Sequence, residues 1–261
     1  MNYITTNHRG GLGNAMFKIA AVISLSIDNA IDYKLSKEFV RPGIDPDYSN
    51  YTTNVFRHIN FVDTLPTNYA TWTEPSFNFT EIPYEVGTDL LLDGYYQSYR
   101  YFENNKSKIV ELFKPTEDIK QHIIDQLPDI NTYNSLHIRR GDYLKYPNHH
   151  PQQSTEYYKQ AVNKLGLDKT YLVFSDDLNG CVDLVDFIPN KLYIDTNADW
   201  LDMYIMSLCQ DNIICNSSFS WWGAYLNTNP NKAVITPINW FGPAYDSLDT
   251  SDICPLDWTK L

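Results

Sequence analysis

Basic charge is in short supply in this sequence. In 261 residues, 20 Lys and Arg stand against 32 Asp and Glu, a formal net charge of −12. Chains that coat nucleic acid or an anionic membrane carry a basic excess, so neither partner is expected. Cysteine is scarce too. Cys181, Cys209, Cys215 and Cys254 form no CxxC pair, and no Cys/His cluster has zinc spacing. Free thiols in a reducing compartment are the expectation. Long apolar runs are also missing. Nothing reaches bilayer-spanning length, and "MNYITTNHRGG" shows no apolar stretch of signal-peptide type. A cytoplasmic location without an integral membrane segment is therefore expected, and the sequons at Asn50, Asn78, Asn105 and Asn216 are read as idle. There is no low-complexity tract and no clear internal repeat.

What is present is an ordinary globular composition, long enough for one large core or two small ones. "YITT" at 3–6 reads as a strand, "HRGGLGN" as a turn, and "AMFKIAAVISLSIDNA" as a helix with Met16, Ile19, Ala20, Ile23 and Ile27 at helical spacing. Residues 41–88 are rich in Asn, Tyr, Thr and Pro, which predicts irregular structure with short elements. "DLLLDGYYQS" at 89–98 is a buried strand running into a polar tip, and "SYRYFENNKSKIVELF" at 98–113 a helix. "PTEDIKQHIIDQL" at 115–127 is another helix, with Pro115 near its first turn and Glu117 and Asp118 suiting its N-terminal dipole. "PDINTYN" at 128–134 is the best linker, which divides the chain into 1–130 and 131–261.

The second half alternates strand and helix. Strands are expected at "NSLHIRR", "TYLVFSDD", "LYID", "NIIC" and "AVITP". Helices are expected at "STEYYKQAVNKLG", with Ser154 as cap and Gly166 as stop, at "ADWLDMYIMSLCQ" and at "SFSWWGAYLN". Repeated βα units imply an α/β fold with a parallel sheet. Ligands bind beyond the carboxyl ends of such strands, so the polar tips deserve inspection: "HRGGLGN" in the first half, and "RRGD", "SDD" and "NSSFSWW" in the second.

Arg139 and Arg140 follow an apolar strand. Alternation puts Leu136, Ile138 and Arg140 on one face and His137 and Arg139 on the other. A guanidinium fork suits phosphate oxygens. Gly141 lets the backbone turn, and Asp142 can orient an arginine from behind. A surface Arg pair beside a turn is the plainer reading. Ser217 and Ser218 stand before an amphipathic helix whose N-terminus is an anion site, or merely a capped helix end packing Trp221 and Trp222 inward. "GGLGN" at 10–14 places backbone N–H groups against a phosphate, or is only a turn. It has neither the Walker Lys-Ser/Thr nor the GxGxxG pattern. Asp176 and Asp177 are open to metal binding, to base chemistry or to accepting hydrogen bonds from guanine. The "DPD" at 45–47 sits in a Gly/Pro-rich loop and is discounted as a metal motif, and the adjacent His149 and His150 are read as loop residues. These features describe a diphosphate-like ligand, cationic arginines and no metal, in a two-lobed cleft.

In order, "GGLGNAMF", "LDGYYQSYRYF", "HIRRGDYL", "FSDD" and "IICNSSFSWWGAYLN" resemble the α-1,2-fucosyltransferase family, glycosyltransferase family 11. The resemblance runs from about residue 9 to about 240. Ala15 departs from it, standing where family members usually have Gln. The resemblance implies a GT-B fold of two facing Rossmann-like domains, the C-terminal one holding most of the donor. It implies GDP-β-L-fucose as donor, a galactose-terminated glycan as acceptor, inversion at the anomeric carbon, and neither metal nor other cofactor. By the same resemblance Arg139 contacts the β-phosphate and Arg140 supports the site. His137 with Asp176 or Asp177 addresses guanine, and Ser218, Phe219 and Ser220 line the phosphates and fucose. Gly11, Gly13 and Asn14 close the site from the N-terminal lobe, with Asn14 near the attacking hydroxyl. No residue is identified as the general base. A related transferase with another donor or acceptor, and a carbohydrate- or nucleotide-sugar-binding protein without turnover, are the alternatives.

Overall fold

The computed structural model describes residues 2–37, 48–65 and 68–261. The "DPD" segment at 45–47 lies outside the described residues. The chain resolves into two units, residues 1–114 with 248–253, and residues 115–247 with 254–261. The linker expectation had set the division at 130. In the structure the helix after Pro115 goes with the second unit.

In the first unit, β1 (Tyr3–Thr6) leads into α1 (Leu12–Asn29), followed by β2 (Asp32–Tyr33) and β3 (Leu35–Ser36). Then come α2 (Tyr48–Thr53), β4 (Phe61–Val62), β5 (Ala70–Thr73), β6 (Leu90–Asp93) and α3 (Lys106–Phe113). Four strands form a sheet in the order β2-β1-β6-β5, every pairing parallel, and β3 and β4 make a separate parallel pair. α1 is apolar on nearly every side, with Leu12, Met16, Phe17, Ile19 and Ile23 buried, as a helix inside a layered core must be. It stops at Ala30, whose left-handed backbone lets its N–H return to Ile27.

The helix expected over 98–113 is shorter. A 3-10 turn at Tyr99–Tyr101, with Ser98 Oγ accepting from the Arg100 N–H, precedes a second at Glu103–Asn105, and only then does α3 begin. The reason is Phe102, at φ −140 and fully buried, 5.9 Å from Phe17 between ring centroids. Burying that ring outweighs helical continuity there.

The second unit contains α4 (Glu117–Gln126), β7 (Asn134–Ile138), α5 (Thr155–Leu165), β8 (Tyr171–Ser175) and α6 (Leu178–Cys181). It continues with β9 (Lys191–Ile194), α7 (Asp199–Leu208), β10 (Asp211–Ile213), α8 (Ser218–Leu226), β11 (Val234–Thr236) and β12 (Thr259–Lys260). Its sheet is parallel throughout, in the order β12-β11-β10-β7-β8-β9. Numbered within the unit this is the doubly wound 3-2-1-4-5-6 order, whose reversal point lies between its first and fourth strands, here β7 and β10. β7 is buried along its whole length, as a central parallel strand covered on both faces should be. The core joins Leu136, Ile138, Tyr158, Val162, Val173, Ile213 and Ile235. Ser154 caps α5, accepting from the Tyr157 N–H, and Gly166 at φ +116 ends it. Trp221 and Trp222 are fully buried, with Trp221 stacked on Tyr225 at 4.5 Å.

Candidate functional site

In the second unit the reversal point gathers the tips of β7, β8 and β10. Alternation ends with Ile138. Arg140 takes φ −126 and ψ −72, and a 3-10 turn over Gly141–Leu144 follows. Both arginines therefore meet the carboxylates beyond β8, whatever face alternation had assigned them. Arg139 donates from Nε and Nη2 to Asp142 Oδ1, at 3.1 and 2.7 Å, and its Nη1 lies 3.2 Å from Asp176 Oδ2. Asp176 Oδ1 accepts the Arg140 backbone N–H at 2.9 Å, and Arg140 Nε donates to Asp177 Oδ2 at 3.0 Å. Asp177 also accepts the Gly180 N–H at the start of α6. Burial opposes the Arg139 charge, yet Asp176 and Asp142 together raise its pKa above the ordinary value. The Gly180 N–H first, and Arg140 second, hold Asp177 below the usual carboxylate range. About a third of the Arg139 side chain still meets solvent.

His137 is buried on β7. Its Nδ1 lies 3.1 Å from Cys215 Sγ, just beyond β10, and its ring lies 5.4 Å from that of Phe219. Burial first, and Arg139 second, push its pKa down to about 3, so the imidazole is neutral. Burial pushes the Cys215 thiol up to about 12, so the pair is uncharged on both sides. Ser217 caps α8, accepting from the Phe219 N–H at 3.4 Å. Ser218 and Phe219 are half-buried, whereas Ser217 and Ser220 are buried, and Ser220 Oγ donates to Ser217 O.

Asn216 anchors this corner. Its Nδ2 donates to the Pro151 and Trp240 carbonyls, its Oδ1 accepts from Gln153, and its own carbonyl accepts from Tyr143 OH at 2.8 Å. The Arg139 guanidinium lies 5.7 Å from the Tyr143 ring centroid, and that ring stacks on His150 at 4.9 Å. Tyr143 is not named in the sequence analysis, and Asn216 and Cys215 appear there only as an idle sequon and a free thiol. Each is significant through partners 60 or more residues away or through ring geometry, which local patterns do not carry.

The remaining predicted residues lie in the first unit. Gly10, at φ +110, turns the chain after β1, and Gly11 precedes α1 with no side-chain cap on the helix and no acidic residue in its first turn. Gly13 is buried and Asn14 half-buried. Lys18 Nζ donates to the carbonyl of Asn7 at 3.0 Å and sits 5.0 Å from the Tyr95 ring centroid, bracing the turn from within the helix. Gln97, beyond β6, donates from Nε2 to Asn14 Oδ1 at 2.9 Å. β1 and β6 are neighbours in the sheet, so here too the candidate residues collect at the carboxyl ends of two adjacent parallel strands.

Chemically, the second-unit site offers a fixed cation, a helix N-terminus and a neutral buried imidazole at a reversal point. That suits a nucleotide diphosphate. Among the described residues, no group of three His, Cys, Asp or Glu side chains is placed to hold a metal ion. No described helix is long and apolar enough to cross a membrane.

The model of glycosyl transferase family 11 matches residues 2–261. The chain belongs to that family. It is similar to the O-antigen biosynthesis glycosyltransferase WbnK of Escherichia coli, at 30% identity over 93% of this chain and 96% of the relative. It is also similar to an alpha-1,2-colitosyltransferase of Escherichia coli, at 28% identity over 100% of this chain and 99% of the relative. A galactoside 2-alpha-L-fucosyltransferase of Caenorhabditis elegans is 26% identical over 66% of this chain and 53% of that protein. Among solved structures, fucosyltransferase NodZ from Bradyrhizobium matches with a TM-score of 0.54 at 12% identity, covering 85% of this chain and 91% of NodZ. The fold is accordingly GT-B-like, with a Rossmann-like parallel sheet in each unit. This family 11 glycosyltransferase thus presents its arginines at the reversal point of a doubly wound sheet.

Proposed function

We propose that this glycosyltransferase moves L-fucose from GDP-β-L-fucose to the 2-hydroxyl of a terminal galactoside with inversion and without a metal. The C1–O bond to the β-phosphate breaks, and its electron pair leaves with GDP. The galactoside oxygen forms the new bond to C1 and gives up its proton. Charge develops on the β-phosphate as that bond lengthens, and a preorganised donor beside it lowers the barrier. The observation that carries this reading is Arg139, held by Asp142 and Asp176 at the reversal point. In this reading Arg139 meets the β-phosphate and the start of α8, with Ser218, Phe219 and Ser220, adjoins the phosphates and sugar. His137 faces guanine as a neutral ring. Because Asp176 and Asp177 are engaged by the arginines, we assign them to holding Arg139 and Arg140 rather than to reading the base. Gly11, Gly13 and Asn14 meet the acceptor side. A cytoplasmic location fits the four free, buried thiols.

A second reading keeps the chemistry and changes the sugar. The colitosyltransferase is matched along its whole length, whereas the galactoside fucosyltransferase is matched over about half of its own. Colitose is L-fucose without the 3-hydroxyl, so the two readings share the leaving-group chemistry and differ in how the site treats that one position. The deciding experiment is GDP release from GDP-fucose and from GDP-colitose, with and without lactose, in excess EDTA. Lactose-dependent release from GDP-fucose that survives EDTA supports the first reading. Release from GDP-colitose alone supports the second. No lactose-dependent release from either donor would overturn the galactoside assignment.

A further inference from the structure

We propose that Cys215 is a positioning residue whose thiol fixes the tautomer of His137, so that the ring presents Nε2–H and grips a hydrogen-bond acceptor of the bound nucleotide, an inference that rests on the donor-site reading above. Three observations carry it. First, the contact is close and sealed. Cys215 Sγ lies 3.1 Å from His137 Nδ1, and the two residues are 1% and 4% exposed. Second, the other ring nitrogen is unused. Among the described residues the ring's polar contact is the one to Cys215, through Nδ1. Nε2 has none, yet it is not among the polar atoms sealed off from solvent without a partner. It is therefore the end of the ring left for a ligand. Third, the sulfur is held in place. β7 and β10 are neighbours at the reversal point, and the Cys215 carbonyl accepts the Ser217 N–H at 2.8 Å just before α8.

Only one proton fits between Sγ and Nδ1. Burial keeps the thiol protonated, and the Arg139 backbone N–H already donates to its sulfur. Thiol sulfur is a weak acceptor, whereas an unprotonated imidazole nitrogen is a good one. Ser220 Oγ is the other taker for the thiol proton, but it stands 3.9 Å away. The S–H therefore points to Nδ1. A neutral imidazole carries a single N–H, so the ring proton sits on Nε2. In this tautomer the outward end donates and does not accept. On guanine its counterparts are O6 and N7, not the 2-amino group.

The first test is long-range proton–nitrogen NMR of histidine-labelled protein, with His137→Phe to assign the signal. We expect an unprotonated Nδ1 and a protonated Nε2 in the wild type, an Nε2–H signal that moves when GDP is added, and loss of the single tautomer in Cys215→Ala. A protonated Nδ1 in the wild type, or a His137 signal indifferent to GDP, overturns the proposal. The second test is calorimetric affinity for GDP and for IDP, which keeps O6 and N7 and lacks the 2-amino group. Cys215→Ala should weaken both by the same factor, about three- to tenfold. Cys215→Ser keeps a donor toward Nδ1 and should recover most of that loss. A loss confined to GDP would put the ring on the 2-amino group and overturn the proposal, as would equal losses in the alanine and serine variants. Should Cys215→Ala fail to fold, the wild-type spectra with and without GDP still decide. A wild type that binds GDP but transfers no sugar counts against the transferase reading alone, and the His137 tautomer stands or falls on its own spectra.

Discussion

Asp176 occupies the space that a side chain at residue 141 would need. A β-carbon on Gly141 would collide with Asp176 Oδ2, and that oxygen is the one paired with Arg139 at 3.2 Å. The glycine is required by this close approach, since Gly141 is not among the positive-φ glycines. The same holds one turn away. A β-carbon on Gly180 would meet Asp177 Oδ2, and would stand 2.7 Å from Arg140 Nε.

Gly141→Ala should therefore act as an indirect arginine mutation. Pushing Asp176 aside frees Arg139 Nη1 and strips the acceptor from the Arg140 N–H. We expect a kcat loss of about tenfold to a hundredfold and a destabilisation of about 1–3 kcal/mol. The same variant made in an Asp176→Ala background should add little, because the two share one cause. Steady-state kinetics and thermal melts check this. A fully active Gly141→Ala would refute the account of Asp176.

Arg139→Ala should lose at least about 10²-fold in kcat with the fold retained, the scale of removing one preorganised donor from developing charge. Arg139→Lys should fall between the two, because an ammonium keeps the charge and loses the fork that engages Asp142 through Nε and Nη2. Wild-type kcat in the alanine variant would remove Arg139 from the leaving-group role.

His137 makes a prediction about acid stability. Its pKa is near 3 in the folded chain and about 6.5 unfolded. Between those values the unfolded state binds the extra proton, so stability is complete above the unfolded value and falls as pH drops. From pH 6.5 to 5 the loss attributable to this ring is about 2 kcal/mol. Denaturant melts of the wild type and His137→Phe at pH 7.5 and 5 should show a steeper acid decline in the wild type. Parallel declines would mean that the ring is protonated, or solvated, in the native state.

Asp202 works with the opposite sign. Burial, opposed by hydrogen bonds from Thr196, raises its pKa to about 6. The native state holds the proton more tightly than the unfolded chain, so stability is lost as pH rises from about 4 through 6. Asp202→Asn keeps an acceptor for Thr196 and removes the charge. It should stabilise by about 1–2 kcal/mol at pH 7.5 and by nothing at pH 4. A gain independent of pH would point to packing instead.

The second half of the chain was legible because its signals are local. Ser154 and Gly166 bound α5 through capping, and β7 and β8 read as apolar runs. The weakly patterned part of the first half was not. β2, β3 and β4 are two residues each, and β5 is the largely exposed "ATWT", too short and too polar for periodicity to register. The candidate site shows the same contrast. Arg139, Arg140 and Asp142 stand together in sequence and remain together in space. The Cys215 contact of His137 and the Gln97 contact of Asn14 close over 78 and 83 residues, which only the sheet order supplies. Asp176 and Asp177 were found as carboxylates at a strand end, but their arginine partners depend on the turn after β7 and were not foreseeable from alternation.

Residues 248–253 belong to the first unit, although they lie between the second unit's Ser247 and Cys254. There Asp252 accepts the Phe79 N–H at 3.0 Å and lies 3.6 Å from Arg100, before the chain returns to add β12 to the second sheet. Neither unit is therefore a single stretch of sequence. A hybrid made by splicing the first 114 residues of one family member onto the remainder of another would inherit its Asp252 segment from the wrong parent. Exchange of the whole first unit between relatives needs two grafts, the long N-terminal one and the six residues near the C-terminus.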